Sequence, residues 1–310
     1  MTNKREKNAP RFAFFGTPEL ATVFLDDLSA GGLVPSLVVT ASDKPQGRGM
    51  ALTPPAVKVW AQVRSIPVLQ PEQFDDTAAA ALRAAACDFF VVIYYGKVLP
   101  RAVLDTPKRG ILNVHFSLLP RWRGTSPVRA AIANDDKEIG TSIILLDEKL
   151  DHGPIIAQKK LVLHEWPPRA SEVEELATRE SAKLLLEILP SWLDSSIEPH
   201  AQNHDLATQC PKYTKEDGLL DLKGDAYKNL LKIRAFDTTI GTYAFFERNG
   251  KKFRVQILTA HMTNGPTPLN KAQGKPLRTS KLVIDSVKPE GKREMDYREF
   301  LRSGAQPTKN

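Results

Sequence analysis

Asn113 and His115 stand two residues apart at the end of an apolar run, and a polar segment containing Pro120 follows them. If the run is a β-strand, the amide and the imidazole point to the same face of the sheet. At a strand end beside a cleft, the amide can donate a hydrogen bond to a developing oxyanion, and the imidazole can take up a proton. These two residue types at this spacing therefore indicate acyl-type transfer.

A carboxylate that could orient the imidazole follows a second apolar run, Thr141 to Leu146. Asp151 lies beyond that run, in a loop that contains Gly153. A lone histidine at a strand end is more often structural than catalytic, because its ring packs well in a protein core. The amide two residues before it and the carboxylate in this loop favour the catalytic interpretation.

The elements that must position these residues alternate between strands and helices. Short apolar runs predict strands at 12–15, 33–40, 66–69, 88–94 and 110–115. The run 88–94 is apolar on both faces, as a central parallel strand is. We therefore expect a doubly wound, Rossmann-like α/β domain, whose ligands bind at the carboxyl ends of the strands.

Local signals in the sequence predict where two helices begin or end. Thr17 is expected to cap a helix whose first residue is Pro18, since proline lacks only an amide that would have no partner there. A long amphipathic helix over Glu172 to Leu189 is expected to close the domain before Pro190.

The chain changes character after this helix. Residues 195–209 are polar and predict a linker. From residue 210 onwards we expect one helix and several strands, with Asn249-Gly250 as a hairpin turn, and hence a small β-barrel. The predicted organisation is a catalytic domain at 1–194, a linker at 195–209 and a C-terminal domain at 210–310.

The formal net charge of +7 is unevenly distributed. Residues 1–200 contain 23 Lys and Arg against 24 Asp and Glu, whereas residues 201–310 contain 20 against 12. A small domain with this excess is a natural electrostatic footprint for a polyanion such as nucleic acid. A basic domain without such a partner fits the charge alone equally well.

Other features of the chain exclude several classes of protein. No apolar run is long enough to span a bilayer, and no apolar segment follows the basic N-terminus as it would in a secretory signal. Cys87 and Cys210 have neither metal-type spacing nor a disulfide framework, and no glycine-rich phosphate motif is present. We therefore expect a cytoplasmic protein that binds no membrane.

Five segments of this chain, in order, resemble the folate-dependent formyltransferases. They are Phe14 to Glu19, Asp43 to Gly49 with Pro55 to Lys58, Tyr95 to Pro100, Asn113 to Pro127, and Leu150 to Gly153. The resemblance covers nearly the whole chain and is strongest to the members that act on methionyl-tRNA. It implies that the C-terminal β-barrel is OB-like and that the protein is a monomer.

The resemblance also implies a reaction and a catalytic trio. Asn113 would be the oxyanion donor, His115 the proton acceptor and Asp151 the electrostatic partner of His115. The amino group of initiator methionyl-tRNA would attack the formyl carbon of 10-formyltetrahydrofolate directly, through a tetrahedral intermediate. No metal and no covalent enzyme intermediate is implied.

Two sets of binding residues are implied in the same way. The residues that would contact tetrahydrofolate are Ser117, Leu118, Leu119, Pro120, Tyr95, Gly96, Val98 and Leu99. The residues that would contact tRNA are Lys44, Arg48 and Lys58. Without the resemblance, these segments are an ordinary strand-ending loop and a solvated basic loop. Phe116 stands where the family usually has a small residue, and its ring is expected to point away from Asn113 and His115.

Two other functions remain open at this stage. One is a formyltransferase that acts on a nucleotide-linked amino sugar, and the other is a non-catalytic RNA-binding or folate-binding protein on the same core. The Gly47-Arg48-Gly49 stretch and the basic C-terminal domain argue against the first. The presence of Asn113, His115 and Asp151 together argues against the second.

Overall fold

The computed structural model describes residues 10–47, 50–264 and 280–308. The chain divides into two compact units, each with an apolar core of its own. The first unit comprises Met1–Pro127, Glu138–Val162 and Glu174–Cys210. The second unit comprises Val128–Lys137, Leu163–Val173 and Pro211–Asn310.

The first unit is built on a seven-stranded sheet in the order β5-β2-β1-β6-β7-β8-β9. The described strands are β1 (Phe12–Phe15), β2 (Leu37–Val39), β3 (Lys44–Gln46), β4 (Ala51–Thr53), β5 (Val68–Leu69), β6 (Phe89–Val92), β7 (Ile111–His115), β8 (Gly140–Leu145) and β9 (Ile155–Lys160). Strands β3 and β4 lie outside this sheet and pair with each other as a hairpin.

Helices follow the parallel strands of this sheet. They are α1 (Glu19–Ala30), α2 (Ala56–Val63), α3 (Asp76–Ala84) and α4 (Arg101–Leu104), and α5 (Pro127–Ala133) and α6 (Ala170–Leu193) come later in the chain. Strand β1 pairs in parallel with both β2 and β6, so the order of the strands reverses there. The predicted doubly wound, Rossmann-like domain is confirmed.

One edge of the sheet departs from the parallel arrangement. Strand β8 pairs antiparallel to β7, and β9 pairs antiparallel to β8. The connection between β8 and β9 is too short for a crossover helix, and a short connection can join only antiparallel neighbours. This connection leaves β8 where Leu145 pairs with Leu112, and it folds back so that its Asp151 reaches Asn113 and His115.

Aromatic side chains fill the centre of this sheet. Phe12, Phe14 and Phe15 are fully buried on β1, and the rings of Phe12 and Phe89 stack with their centroids 5.4 Å apart. Burying such a side chain stabilises a fold by about 1.5–3 kcal/mol. The core therefore fixes β1 and β6, and through them the strand β7 that carries Asn113 and His115.

Both predicted helix ends differ from the structure. Helix α1 begins at Glu19 with Pro18 as its N-cap, and no side chain caps it, so the prediction for Thr17 is wrong. Helix α6 continues through Pro190 to Leu193. Because Pro190 lies in the last turn, it removes only one backbone hydrogen bond, and the helix tolerates it.

The second unit is an antiparallel sheet in the order β13-β12-β11-β10-β14. Its elements are α7 (Ala226–Ala235), β10 (Thr242–Arg248), β11 (Lys251–Asn264), β12 (Ser280–Pro289), β13 (Met295–Asp296), α8 (Tyr297–Leu301) and β14 (Gln306–Pro307). Asn249 and Gly250 join β10 to β11 with φ values of 51° and 72°, the left-handed values that a tight hairpin needs. The prediction of a small β domain here is confirmed.

Among the residues that the structure describes, no helix combines the length and the apolar character needed to cross a bilayer.

Candidate active site

Asn113 and His115 lie at the carboxyl end of β7, and β6 separates this strand from β1, where the strand order reverses. Strand β7 pairs in parallel with β6 and antiparallel with β8, and this double pairing fixes both side chains on one face. Asn113 is half-buried, whereas only 5% of His115 is exposed. The amide therefore borders the surface and the imidazole lies deeper.

Asp151 joins these two residues from the loop between β8 and β9. Its Oδ1 atom accepts a hydrogen bond from Asn113 Nδ2 at 3.3 Å, and its Oδ2 atom lies 3.5 Å from His115 Nδ1. The backbone N–H of Gly124 also donates to Oδ2, at 2.8 Å. The structure thus brings together the three residues predicted as catalytic, around one buried carboxylate.

The surroundings of His115 determine how its ring can carry protons. Nε2 lies 2.8 Å from the backbone oxygen of Trp122, and a carbonyl oxygen can only accept, so Nε2 must donate. Nδ1 then faces the carboxylate of Asp151. A proton taken up by the neutral ring arrives at Nδ1, beside a negative charge that stabilises the resulting imidazolium.

Sequence reasoning missed a set of polar groups behind this trio. Gln202 is buried and donates from Nε2 to the backbone oxygens of Asp151 and Gly153, at 2.9 and 2.8 Å. Arg123 is also buried and donates to Gln202 Oε1 and, through Nη2, to His204 Nδ1 at 2.8 Å. Gln202 and His204 lie in the segment predicted as a linker, and the polar composition of that segment gave no sign that it packs here.

Two histidine rings lie next to these polar groups, and one of them contacts Arg123. The rings of His152 and His204 stack with centroids 4.1 Å apart, and His152 Nδ1 lies 2.6 Å from Asp147 Oδ2. Partial desolvation, together with the neighbouring His152 and Arg123, lowers the pKa of His204. A neutral His204 accepts the hydrogen bond from Arg123, since its Nδ1 then keeps a lone pair.

The predicted folate loop after β7 is held tightly by internal hydrogen bonds. Ser117 is buried, and its hydroxyl donates to the backbone oxygen of Arg121 at 2.6 Å. Gln158 donates to the backbone oxygen of Leu119, and the peptide bond between Leu119 and Pro120 is cis. Because the Ser117 hydroxyl is engaged internally, this loop presents backbone groups and apolar side chains to a ligand.

The second predicted folate segment is split between core and surface. Tyr95 and Leu99 are buried in the apolar cluster that also contains Phe15, and burial raises the pKa of Tyr95 to about 12. In contrast, Val98 is 83% exposed, and Gly96 has a φ of 74° with open space where a side chain would be. Gly96 and Val98 are therefore the members of this segment that can meet a ligand. Phe116 packs its ring against Tyr94, with centroids 4.9 Å apart.

The residues predicted to contact tRNA differ in their environments. Lys58 forms an ion pair with Asp43 at 2.8 Å. Hydrogen bonds from Gln70 and from Lys58 lower the pKa of Asp43. Lys44 is exposed on β3, whereas Arg48 lies outside the described residues and its role stays a prediction from the sequence.

The two cysteines are not set up as nucleophiles. Cys210 Sγ lies 3.2 Å from the backbone oxygen of Trp122, and burial raises the pKa of its thiol to about 11. Burial also raises the pKa of Cys87. In the described part of the chain, no group of three or more His, Cys, Asp or Glu side chains could hold a metal ion.

Comparison with known proteins adds a family and a fold to this geometry. A model of the formyl transferase family matches residues 10–189. The chain is 37% identical over 313 residues to a methionyl-tRNA formyltransferase of Myxococcus xanthus, with 96% of this chain and 98% of that protein covered.

Two solved structures share the fold at low sequence identity. A methionyl-tRNA formyltransferase from Clostridium thermocellum matches with a TM-score of 0.55 and 16% identity, over 89% of this chain and 99% of that one. An N-formyltransferase from Helicobacter canadensis, in complex with folinic acid and dTDP-3-aminofucose, matches with a TM-score of 0.60 and 16% identity, over 89% and 98%.

Proposed function

The chain belongs to the formyl transferase family and, within it, to the methionyl-tRNA formyltransferases, and from this premise we propose that it formylates the amino group of initiator methionyl-tRNA. The formyl donor is 10-formyltetrahydrofolate. The observation that carries the proposal is the contact of Asn113 and His115 with the buried Asp151 at the end of β7. Amine, formyl group and leaving nitrogen meet at such a site without a covalent enzyme intermediate.

Asn113 stabilises the oxyanion of the tetrahedral intermediate. Its amide carries two N–H groups, and one of them is directed to Asp151 Oδ1. The other remains for the formyl oxygen, and the half-buried position of Asn113 gives a substrate access to it. One such donor typically lowers a barrier by about 2.7–4 kcal/mol.

His115 takes the proton that the attacking amine must lose. Because Nε2 is held by the oxygen of Trp122, the proton is accepted at Nδ1, directly or through one water. The 3.5 Å contact between Nδ1 and Asp151 Oδ2 is long for the neutral ring and shortens once the ring is charged. The bond from the formyl carbon to N10 then breaks, and the proton passes to the leaving N10.

The loops beside the trio suit the formyl donor. Tetrahydrofolate carries flat rings that need an apolar slot with backbone donors and acceptors. Leu118 and Pro120 are half-buried on one loop, and Val98 and Gly96 are exposed on the other. The Helicobacter canadensis relative in fold was solved with a folate, which supports a folate as the formyl donor.

The second unit supports a nucleic-acid substrate. Arg248, Lys251, Lys252 and Arg254, here called the basic hairpin, surround the turn between β10 and β11. The Arg254 guanidinium lies 3.7 Å from the centre of the Tyr243 ring, and Lys252 Nζ lies 4.5 Å from that of Phe245. Cations held over aromatic faces in this way are positioned to meet phosphates.

A cavity of about 700 Å³ opens beside the basic hairpin. Its lining includes Arg248, Lys251, Lys252 and Lys292, together with Glu290 and Glu299. Cations outnumber carboxylates in this lining, so the field there attracts a polyanion. A tRNA offers many phosphates to such a surface and a nucleotide-linked sugar only its diphosphate, and this favours tRNA over the sugar alternative.

The test is formyl transfer from 10-formyltetrahydrofolate to three acceptors in parallel: initiator methionyl-tRNA, elongator methionyl-tRNA and nucleotide-linked amino sugars. We expect formylation of the initiator tRNA and at most slow reaction of the others. Transfer to a sugar alone would overturn the proposed acceptor. Absence of transfer to every acceptor, from protein that still binds folate and tRNA, would favour the non-catalytic alternative.

A further inference from the structure

Gln202 uses every hydrogen-bonding group of its side-chain amide. Nε2 donates to the backbone oxygens of Asp151 and Gly153, at 2.9 and 2.8 Å. Oε1 accepts from Arg123 Nε at 3.1 Å and from Arg123 Nη2 at 2.6 Å. Only 5% of Gln202 and 6% of Arg123 are exposed. A buried amide with both donors and both acceptors engaged is rigid, since any rotation leaves a group without a partner.

The chemistry of the partners fixes the orientation of this amide. A guanidinium can only donate and a backbone carbonyl can only accept. Exchanging the oxygen and nitrogen of Gln202 would therefore set donor against donor and acceptor against acceptor. Arg123 thus selects the orientation in which the amide N–H groups of Gln202 point at the loop that carries Asp151.

That loop needs such support because of its backbone. Asp151 has a φ of 48°, in the left-handed region that residues other than glycine adopt uncommonly and at a cost that surrounding contacts must offset. The two oxygens held by Gln202 belong to residues 151 and 153, on either side of His152. One amide thereby forms hydrogen bonds to the backbone on both sides of the turn from which the Asp151 carboxylate projects.

The same short segment of chain supports the catalytic trio at three points. The oxygen of Trp122 accepts from His115, the side chain of Arg123 orients Gln202, and the N–H of Gly124 donates to Asp151. The contacts therefore form a closed cycle, which runs from His115 through residues 122–124 and Gln202 to Asp151 and back to His115. Loss of Gln202 breaks this cycle of contacts at the turn that positions Asp151.

We propose that Gln202 is a positioning residue for formyl transfer: oriented by Arg123, it holds the turn at Asp151 so that the carboxylate faces both Asn113 and His115. The inference rests on the proposed function, because the effect on rate is exerted through the trio. Gln202 touches no reacting atom. Its contribution is the placement of Asp151, to which the rate is sensitive because a displacement of about 1 Å at a catalytic group can cost about 100-fold.

Two substitutions at position 202 test this role. Gln202→Met keeps the length of the side chain and removes all four hydrogen bonds. Gln202→Glu keeps an acceptor for Arg123 and removes both donors to the turn. If holding the turn is what matters, both variants lose single-turnover rate by roughly 10-fold to 100-fold. The KM values for methionyl-tRNA and for 10-formyltetrahydrofolate stay within about 2-fold, since neither substrate contact changes.

Asn229→Ala is the matched control. Asn229 is a buried amide of the second unit, and its Nδ2 donates to the backbone oxygen of Asp221 at 2.6 Å. The control loses a hydrogen bond of the same kind and some thermal stability, and it keeps the wild-type rate. A fall in rate equal to that of Gln202→Met would mean that general destabilisation, not the placement of Asp151, explains the result.

A double-mutant cycle separates positioning from other effects. In an Asp151→Ala background, Gln202→Met should cost less than about 2-fold in single-turnover rate, because the group it positions is already absent. The same loss in both backgrounds would overturn the proposal. So would a folded Gln202→Met variant whose rate stays within about 3-fold of the wild type.

A readout independent of activity keeps this inference distinct from the proposed function. The ¹⁵N chemical shifts of the His115 ring report the position of the carboxylate beside Nδ1. We expect Gln202→Met to move these shifts in the same direction as Asp151→Ala, and Asn229→Ala to leave them unchanged. Unmoved shifts in Gln202→Met would refute the positioning role, whatever the acceptor substrate is. Lack of formyl transfer by the wild type would instead refute the proposed function.

Discussion

Nε2 of His115 lies 2.8 Å from the backbone oxygen of Trp122, and this contact decides which ring nitrogen takes part in chemistry. Nε2 carries a hydrogen that it donates to the carbonyl, so Nδ1 is left to face Asp151 Oδ2 at 3.5 Å. Proton uptake and the electrostatic stabilisation of the resulting charge therefore occur on the same side of the ring.

Replacement of His115 by alanine removes the proton acceptor. We expect kcat for formylation of methionyl-tRNA to fall by roughly 100-fold to 10,000-fold, the usual contribution of a general base. Steady-state kinetics with both substrates varied is the measurement, and circular dichroism confirms that the variant is folded. A kcat within about 3-fold of the wild type would rule out His115 as the acceptor.

Replacement of Asn113 by alanine removes the donor to the oxyanion. The expected loss in kcat is about 100-fold to 1,000-fold, with a smaller change in KM, because the interaction strengthens in the transition state. The comparison variant is Asn134→Ala, which removes an amide that donates to the backbone oxygen of Ala130 on α5. Equal kcat values for Asn113→Ala and the wild type would contradict the assigned role.

Double substitution of Arg248 and Lys252 by alanine weakens the basic hairpin. We expect methionyl-tRNA binding to weaken and the slope of log K against log salt to become shallower by about 1 per lost phosphate contact. Filter binding from low to moderate salt measures this slope.

The control for this experiment is Lys183→Ala on α6, since Lys183 is exposed and pairs with Glu180 in the same helix. It should leave the slope unchanged. The KM for 10-formyltetrahydrofolate should stay constant in all variants. An unchanged salt dependence in the double variant would show that tRNA does not contact the basic hairpin.

Replacement of Tyr95 by phenylalanine removes a buried hydroxyl that has no hydrogen-bond partner among the residues that the structure describes. We expect the free energy of unfolding at pH 7 to rise by about 1 kcal/mol, because an unsatisfied polar group leaves the core. The KM for 10-formyltetrahydrofolate should not change, since the ring lies in the apolar cluster. A clear rise in that KM would instead show that the hydroxyl contacts the folate.

The same substitution should change the alkaline stability. Burial raises the pKa of Tyr95 to about 12, while an unfolded tyrosine titrates near pH 10. The folded state therefore holds this proton more tightly, so the stability from this group is complete below about pH 10 and is lost as the pH rises towards 12. Urea unfolding at pH 9, 10 and 11 should show a steeper decline for the wild type than for Tyr95→Phe. Parallel declines would contradict the raised pKa.

Cys210 should resist alkylation in the native protein. Burial raises the pKa of its thiol to about 11, so only about 0.1% is thiolate at pH 8, and the thiolate is the reactive form. Intact mass spectrometry after iodoacetamide treatment at pH 8 should show little modification, and the same treatment in urea should modify both cysteines. Rapid native modification of Cys210 that abolishes activity would reopen the question of a covalent nucleophile.

Local patterns in the sequence predict much of the fold of this protein. The apolar run 88–94 forms a buried strand, and the spacing of two places Asn113 and His115 on one face of the next strand. Strand alternation and the burial of apolar runs depend on neighbouring residues, and a sequence displays those directly. Both predicted helix ends differ from the structure, because a last turn tolerates Pro190 and no side chain caps α1.

The tertiary structure alone decided how the site is held together. The sequence places Asp151 after a strand, and the folding back of the connection between β8 and β9 brings it to His115. The sequence gives no sign that the carbonyl of Trp122 fixes the tautomer of the His115 ring. It also gives no sign that Gln202, from a polar segment resembling a linker, binds the backbone of the turn at Asp151. These contacts join residues up to 51 positions apart through backbone oxygens and a single amide. Every residue has a backbone oxygen, so residue type alone cannot show which of them a distant side chain will bind.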